Sequence, residues 1–241
     1  MAWFKDWFNS PYYHILYGKR DEREAETLVG NLLDFLQPAS GSVFLDLACG
    51  KGRHTRQIAS HGFEAYGIDL SEESIKEASE FSDERLHFEV HDMRIPFKPG
   101  QFDYVFNLFT SFGYFSNTDD NLATLRAVGE ELKSGAILVQ DYFNVELVKT
   151  KLKAHELKTV QGIEFEISKL IEDKMILKTI KFEDKGVEYR FCEQVCLFDL
   201  EDFKKMYEKC GLEIKHVFGN YALQSYEPQT SERLILISKK L

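Results

Sequence analysis

Apolar residues recur along this chain at two periods, about 3.6 residues and about 2, and the switches between them mark out its elements. Residues 1 to 20 follow neither. Trp3, Phe4, Trp7, Phe8, Tyr12, Tyr13 and Tyr17 crowd there without regular spacing, which predicts an irregular segment packed on the outside of the domain. Asp21 and Glu24 then stand at capping-box spacing, and Ala25, Leu28, Val29, Leu32, Leu33 and Leu36 repeat at helical spacing until Pro38, predicting a covering helix. Val43 to Leu47 is a short apolar and β-branched run, which suits a strand buried on both faces. Thr55, Ile58 and Ala59 return to helical spacing until His61-Gly62. Phe63 to Ile68 reads as the second strand, and Ser71 followed by Glu72 and Glu73 starts the next helix. Leu86 to His91 and Phe102 to Leu108 give the third and fourth strands. Asp119 to Leu132 reads as a helix broken by Gly135, and Ala136 to Tyr142 as the fifth strand.

Strands alternating with helices predict an α/β fold with a doubly wound, mostly parallel sheet and helices on both faces. Right-handed crossovers place all the strand tips on one edge. Past Val145 the pattern changes. After a short helix, Gly162 to Leu170, Met175 to Glu183 and Val187 to Phe198 alternate or run β-rich between the turn-like stretches Glu172-Asp173-Lys174 and Asp184-Lys185-Gly186, predicting an antiparallel β insertion after strand 5 that acts as a lid. Asp199 caps a helix with Phe203, Met206, Tyr207 and Cys210 on one face, closed by Gly211. Leu212 to Phe218 and Arg233 to Ser238 then bring the main sheet to seven strands. The expected organisation is one domain: an N-terminal helical cover over 1–40, a core over 41–143, the insertion over 144–198, and the last helix and strand pair over 199–241.

Composition narrows the class. A chain of 241 residues, 44% apolar, with 20 Phe and 11 Tyr, is long enough for a substantial single core. Its formal charge of −10, with no basic stripe, argues against nucleic acid and for a small-molecule ligand. Cys49, Cys192, Cys196 and Cys210 lack metal-ligand spacing. On one strand Cys192 and Cys196 would stand four rises, ~13 Å, apart, too far for a disulfide. All four are expected to be buried thiols of a reducing compartment. No basic start precedes a long apolar run, and no stretch approaches about eighteen apolar residues, so a cytoplasmic protein is expected.

The stretch Val43 to His54 carries the first chemistry. A strand ending in Asp46 passes at once into Gly50-Lys51-Gly52 and then a helix. Glycine serves where a backbone takes positive φ or meets a ligand closely, and open N–H groups at a helix start favour electron-rich groups, so the turn is a candidate nucleotide-type site. A dinucleotide fingerprint counted from Gly50 and Gly52 wants glycine at the place of Thr55, and a phosphate loop wants Gly-Lys-Ser/Thr where the chain has Gly50-Lys51-Gly52. Asp69, about twenty positions on at the second strand tip, suits the hydroxyls of a ribose. Asp46, Asp69 and Asp92 thus close three successive strands, at the edge where open α/β sheets bind ligands. After the fourth strand, Asn107-Leu108-Phe109-Thr110-Ser111-Phe112-Gly113-Tyr114-Phe115 mixes hydroxyls with aromatics in the manner of a site-lining loop, with at least two of its phenylalanines expected in the core.

The acidic strand end with its small-x-Gly-x-Gly turn, Asp69 and the Phe102-Asp103-Tyr104-Val105 entry together resemble class I (Rossmann-like) S-adenosylmethionine-dependent methyltransferases of the small-molecule type, with Ala48 in place of the usual first glycine. The resemblance covers residues ~40 to 142 and the tail from ~199 to 238. It implies S-adenosyl-L-methionine as cofactor, S-adenosyl-L-homocysteine as product, and in-line transfer of a methyl group to an N or O nucleophile. It puts Asp46, Ala48, Gly50 and Gly52 beside the methionyl part, Asp69 on the ribose with Leu70 next to it, Asp92 and Met93 at the adenine, and Asn107 near the methionyl amino group. Tyr17 and Arg20 are expected at the methionyl carboxylate, because arginine pairs carboxylates bidentately. His14 and Tyr114 are the candidate general bases, and Glu193 either meets a cationic amine acceptor or belongs to a solvated strand face. The Asn-Pro-Pro-Tyr type sequence of base- and protein-amide-methylating relatives is absent, and Asp141 with Asn144 matches a metal-assisted site poorly, so no metal is expected. A monomer or homodimer acting on a small-molecule methyl acceptor, with no nucleic-acid or membrane partner, is the reading. Its rivals are an NAD-dependent oxidoreductase, which should carry the third glycine, and a non-catalytic binding protein, which would lose the three carboxylates.

Overall fold

The computed structural model describes residues 3–18 and 22–241, apart from the Lys5 side chain. Asp21, half of the expected capping box, and Arg20 lie outside the described residues. Two short helices open the chain, α1 (Trp3–Phe8) and α2 (Pro11–Tyr17). The irregular segment expected here is therefore helical. Its local signal is Ser10-Pro11: the Ser10 hydroxyl accepts the Tyr12 N–H at 3.2 Å, and proline suits a first helical turn. The covering helix α3 (Glu22–Leu36) buries Ala25, Leu28, Val29, Leu32 and Leu33.

The alternating elements follow in order: β1 (Val43–Leu47), α4 (Arg53–Ser60), β2 (Glu64–Asp69), α5 (Glu72–Ser79), β3 (Leu86–Val90), β4 (Phe102–Asn107), α6 (Thr118–Glu131) and β5 (Leu132–Phe143). They form a seven-stranded sheet with β10 (Leu212–Phe218) and β11 (Arg233–Lys240), in the order β10-β11-β5-β4-β1-β2-β3. The first five strands pair in parallel, and β11 runs antiparallel to both β5 and β10. Phe44 packs under α3 on one face while Leu45 and Leu47 pack toward α6 and α8 (Leu200–Lys209) on the other, as an apolar run buried on both faces requires. One boundary moves. β5 starts at Leu132 without a break after α6, and Gly135 (φ 76°) lies inside the strand, where the register against β4 shifts between Phe102 and Tyr104. Buried Leu132 opposite Phe102 outweighs the breaker reading of that glycine.

After α7 (Val145–Lys151) the insertion forms its own antiparallel sheet of β6 (His155–Val160), β7 (Ile163–Glu172), β8 (Met175–Asp184) and β9 (Val187–Cys196). β6 is one strand more than the alternation showed. It is an edge strand of mostly exposed residues, so little apolar alternation marks it. The inner face of this sheet (Phe165, Ile167, Ile180, Phe182) packs with Trp7 and Leu16 in a third core. The cover thus packs on the insertion and reaches the loop after β4 through Trp3 on Tyr114 and Phe4 on Phe115. The cysteines are all free, but only Cys49 and Cys196 are buried; Cys210 is half-buried and Cys192 exposed, contrary to the expectation for all four. Cys192 alternates with Phe191 and Glu193 along β9, and these two face the cover.

Candidate active site

At the end of β1 the chain turns through Ala48 (φ 60°), Gly50 (φ 57°) and Gly52 (φ 73°). A Cβ at Gly52 would stand 2.4 Å from the Phe88 ring, so only glycine fits. A Cβ at Gly50 would meet nothing within 4 Å, which leaves this backbone open to a ligand. α4 starts at Gly52 without a side-chain cap hydrogen bond from that residue.

Two buried carboxylates brace the turn. Asp69 accepts the Gly50 N–H at 2.9 Å on one oxygen and the Ser71 N–H at 2.8 Å on the other, tying the β2 tip to the turn. Burial raises its pKa, and those backbone donors oppose the rise. Asp46 accepts the Thr55 hydroxyl at 2.6 Å, and burial pushes its carboxyl up to about 6. The third carboxylate differs. Arg94 grips Asp92 through Nε at 3.0 Å and Nη2 at 2.6 Å, which holds its pKa below the usual range; the same guanidinium reaches Asp120 at 3.3 Å and lies over the Phe115 ring at 4.8 Å.

These strand tips, the loop after β4 and the aromatic cover line a partly open cavity of about 470 Å³. Among the expected site residues, Ala48, Gly50, Asp69, Leu70, Asp92 and Met93 line it from the sheet side, Tyr114 from the loop, and His14 and Tyr17 from the cover. Asp46, Gly52 and Asn107 do not line it. Asp46 and Gly52 stand behind the turn, and Asn107 is buried with its amide donating to the Leu47 carbonyl at 3.0 Å and accepting from Gln140 at 3.2 Å. Phe109 and Phe115 line the cavity, Phe115 being also mostly buried, while Phe112 is buried in the core. Unexpected lining residues are Phe4, Phe8, Glu22, Arg53, His54 and Arg56. Arg53 and His54 follow the glycine turn directly and Phe4 and Phe8 sit at i, i+4, signals that adjacency and a helical reading would have used.

The cover is fastened by side chains. Trp7 Nε1 and the Tyr17 hydroxyl both donate to Glu193 at 2.6 Å, and Lys178 pairs with the same carboxylate at 3.3 Å. Glu193 is only 18% exposed, so the solvated-face reading is overturned: three donors hold it beneath α1 and α2. Asp141 and Asn144 are likewise engaged, the first with Arg233 at 2.7 Å and the second with the Pro228 and Ser231 carbonyls at 2.7 Å. Among the described residues no group of three or more His, Cys, Asp or Glu is placed to hold a metal ion, and no helix is long and apolar enough to cross a membrane.

The family model described as "Methyltransferase domain" matches residues 44–135. The "Putative methyltransferase YqeM" of Bacillus subtilis (strain 168) is 31% identical over 214 residues, 84% of this chain and 85% of that protein. The dTDP-3-amino-3,4,6-trideoxy-alpha-D-glucopyranose N,N-dimethyltransferase of Streptomyces venezuelae is 24% identical over 219 residues, 86% of this chain and 91% of that protein. Among solved structures, an S-adenosylmethionine-dependent methyltransferase from Clostridium acetobutylicum ATCC 824 superposes with a TM-score of 0.78 at 20% identity, covering 95% of each chain.

Proposed function

The chain belongs to the class I S-adenosylmethionine-dependent methyltransferase family, and on that premise we propose that it moves the methyl group to a nitrogen or oxygen nucleophile of a small acceptor bound beneath the aromatic cover. The observation that carries this reading is the left-handed turn at Ala48, Gly50 and Gly52, latched to Asp69 on the wall of a 470 Å³ cavity. Backbone open at Gly50 and a carboxylate one strand away suit an adenosine-bearing ligand with a methionyl arm.

In this reading Asp69 accepts the ribose hydroxyls, Asp92 the adenine amine, and Leu70 and Met93 pack on the ring. Ala48 and Gly50 hold the methionyl part with their backbone, and Tyr17 borders it, its hydroxyl being donated to Glu193. Asp46, Gly52 and Asn107 act from behind: the first two fix the turn, and the third fixes the Leu47 carbonyl. Arg20, outside the described residues, keeps its proposed place at the carboxylate. When bound, S-adenosylmethionine supplies a methyl group on a cationic sulfur. The chain's own task is alignment of the acceptor at near-attack distance and exclusion of water. His14 offers a proton acceptor from the cover. Tyr114 donates its hydroxyl to the Thr110 carbonyl at 2.7 Å and lines the cavity wall.

A partly open cavity with aromatic walls and a net charge of −10 support a small acceptor over nucleic acid, and the amino-sugar N,N-dimethyltransferase among the relatives supports an amine. The absence of a membrane-crossing helix among the described residues is compatible with the cytoplasm. Isothermal titration with S-adenosylhomocysteine, and separately with NAD, tests the cofactor: micromolar binding of the first alone is expected, and binding of NAD alone or of neither contradicts the reading. A radiolabelled-methyl screen of amines against matched alcohols then identifies the nucleophile.

A further inference from the structure

The loop after β4 bends where its residue types resist bending. Phe109 (φ 58°) and Thr110 (φ 60°) are consecutive non-glycine residues in the left-handed region. A bulky or β-branched residue stays there only where its surroundings impose it, and such positions gather at functional sites. Asp141, fully buried near the end of β5, imposes it here. One of its carboxylate oxygens accepts the Phe109 N–H at 2.8 Å and the Tyr221 hydroxyl at 3.2 Å, while its backbone carbonyl accepts the Thr110 N–H at 3.0 Å. The other carboxylate oxygen takes Arg233 Nε at 2.7 Å, and Nη2 of that guanidinium donates to the Thr110 hydroxyl at 2.9 Å. Asp141 thus holds both peptide N–H groups of the left-handed pair, one through its carboxylate and one through its backbone carbonyl, while its ion-pair partner Arg233 holds the Thr110 hydroxyl.

That ion pair sits outside the cavity while what it holds forms the wall. Neither Asp141 nor Arg233 lines the cavity; Phe109 and Ser111, on either side of Thr110, do. Arg53, another lining residue, lies over the Phe109 ring at 4.7 Å. Tyr114 hangs from the same pair through its bond to the Thr110 carbonyl.

We propose that Asp141 and Arg233 are positioning residues: they hold Phe109 and Thr110 left-handed, and so set the wall that the cofactor meets and the anchor of Tyr114, without touching either reactant. The proposal rests on the methyltransferase reading for its consequence, cofactor affinity, and on geometry alone for the clamp itself. Its test compares wild type, Asp141→Asn, Thr110→Gly and the double variant by S-adenosylhomocysteine titration, melting temperature and hydrogen exchange of the 107–116 segment without ligand. Asp141→Asn should bind at least tenfold more weakly and exchange faster over that segment. Glycine adopts the left-handed conformation without steric cost. The double variant should therefore return to within threefold of wild-type affinity while its melting temperature stays as low as that of Asp141→Asn. A merely structural ion pair would move affinity and melting temperature together and show no glycine rescue, which would overturn the proposal, as would an Asp141→Asn affinity within twofold of wild type. If Asp141→Asn does not fold, Arg233→Gln, alone and with Thr110→Gly, decides by the same criteria. If the wild type itself binds no S-adenosylhomocysteine, the methyltransferase reading fails separately, and unchanged exchange over 107–116 would still overturn the clamp.

Discussion

The strand-tip edge and the aromatic cover line one cavity but are held by different means. At the edge, backbone does most of the holding: Asp69 takes the N–H groups of Gly50 and Ser71, and Asp46 takes the hydroxyl of Thr55, nine residues away. In the cover, side chains reach across the molecule, with Trp7 and Tyr17 on Glu193, Tyr12 on Asp184 at 2.8 Å, and Lys158 on the Leu16 carbonyl at 3.3 Å, over sequence separations from 142 to 186. The difference teaches that the strand-tip edge is shaped by the folding of the core, whereas the cover is docked by side chains onto strands distant in sequence.

The harshest way to break the comparison is Gly52→Val. Its Cβ meets the Phe88 ring at 2.4 Å in a left-handed position, so a loss of about 3 to 5 kcal/mol is expected in urea denaturation. Glu193→Gln sharpens the contrast. It takes from Lys178, whose pKa burial already lowers against the pull of Glu193, its ion-pair partner, and should cost about 2 kcal/mol in the same measurement while the edge stays built. Glu131 offers a control away from both regions. It is fully buried, one oxygen accepting the Phe97 N–H at 2.9 Å, and burial pushes its carboxyl up to about 8 from the usual 4.5. The folded chain thus holds a proton that the unfolded chain releases, so this contribution is complete below pH 4.5 and is lost as pH rises through 8. Glu131→Gln should flatten that decline and raise stability at pH 9 by about 1 kcal/mol, read from melts across pH. The smallest effect belongs to the outer face of the insertion: a thiol reagent should label exposed Cys192 first and buried Cys49 last, with no shift in melting temperature after the first label.

What was legible in the sequence follows the same divide. The strand, glycine turn and helix around Gly50, and the aspartates at successive strand ends, depend on residues within a few positions of one another, so periodicity and spacing exposed them. The helices at Trp3–Phe8 and Pro11–Tyr17 escaped because each is only six or seven residues long, too short for a helical period to stand out among so many aromatics; only Ser10-Pro11 marked a start. Glu193 looked like a solvated strand residue because its donors Trp7 and Tyr17 lie more than 170 residues away. Arg94, two residues beyond Asp92, was within local reach, but nothing in its spacing separates a partner of that carboxylate from an ordinary surface arginine. The Asp141–Arg233 clamp joins positions 92 apart and answers a backbone strain that side-chain pattern does not reveal.

The most direct test of the account is S-adenosylhomocysteine titration of wild type, Asp69→Ala and Glu193→Gln side by side. Asp69→Ala should weaken binding at least 100-fold, about 3 kcal/mol, through loss of a charged acceptor and of the Gly50 latch, whereas Glu193→Gln should stay within threefold of wild type. Equal losses in the two variants, or wild-type affinity in Asp69→Ala, would contradict a cofactor site built on the strand tips.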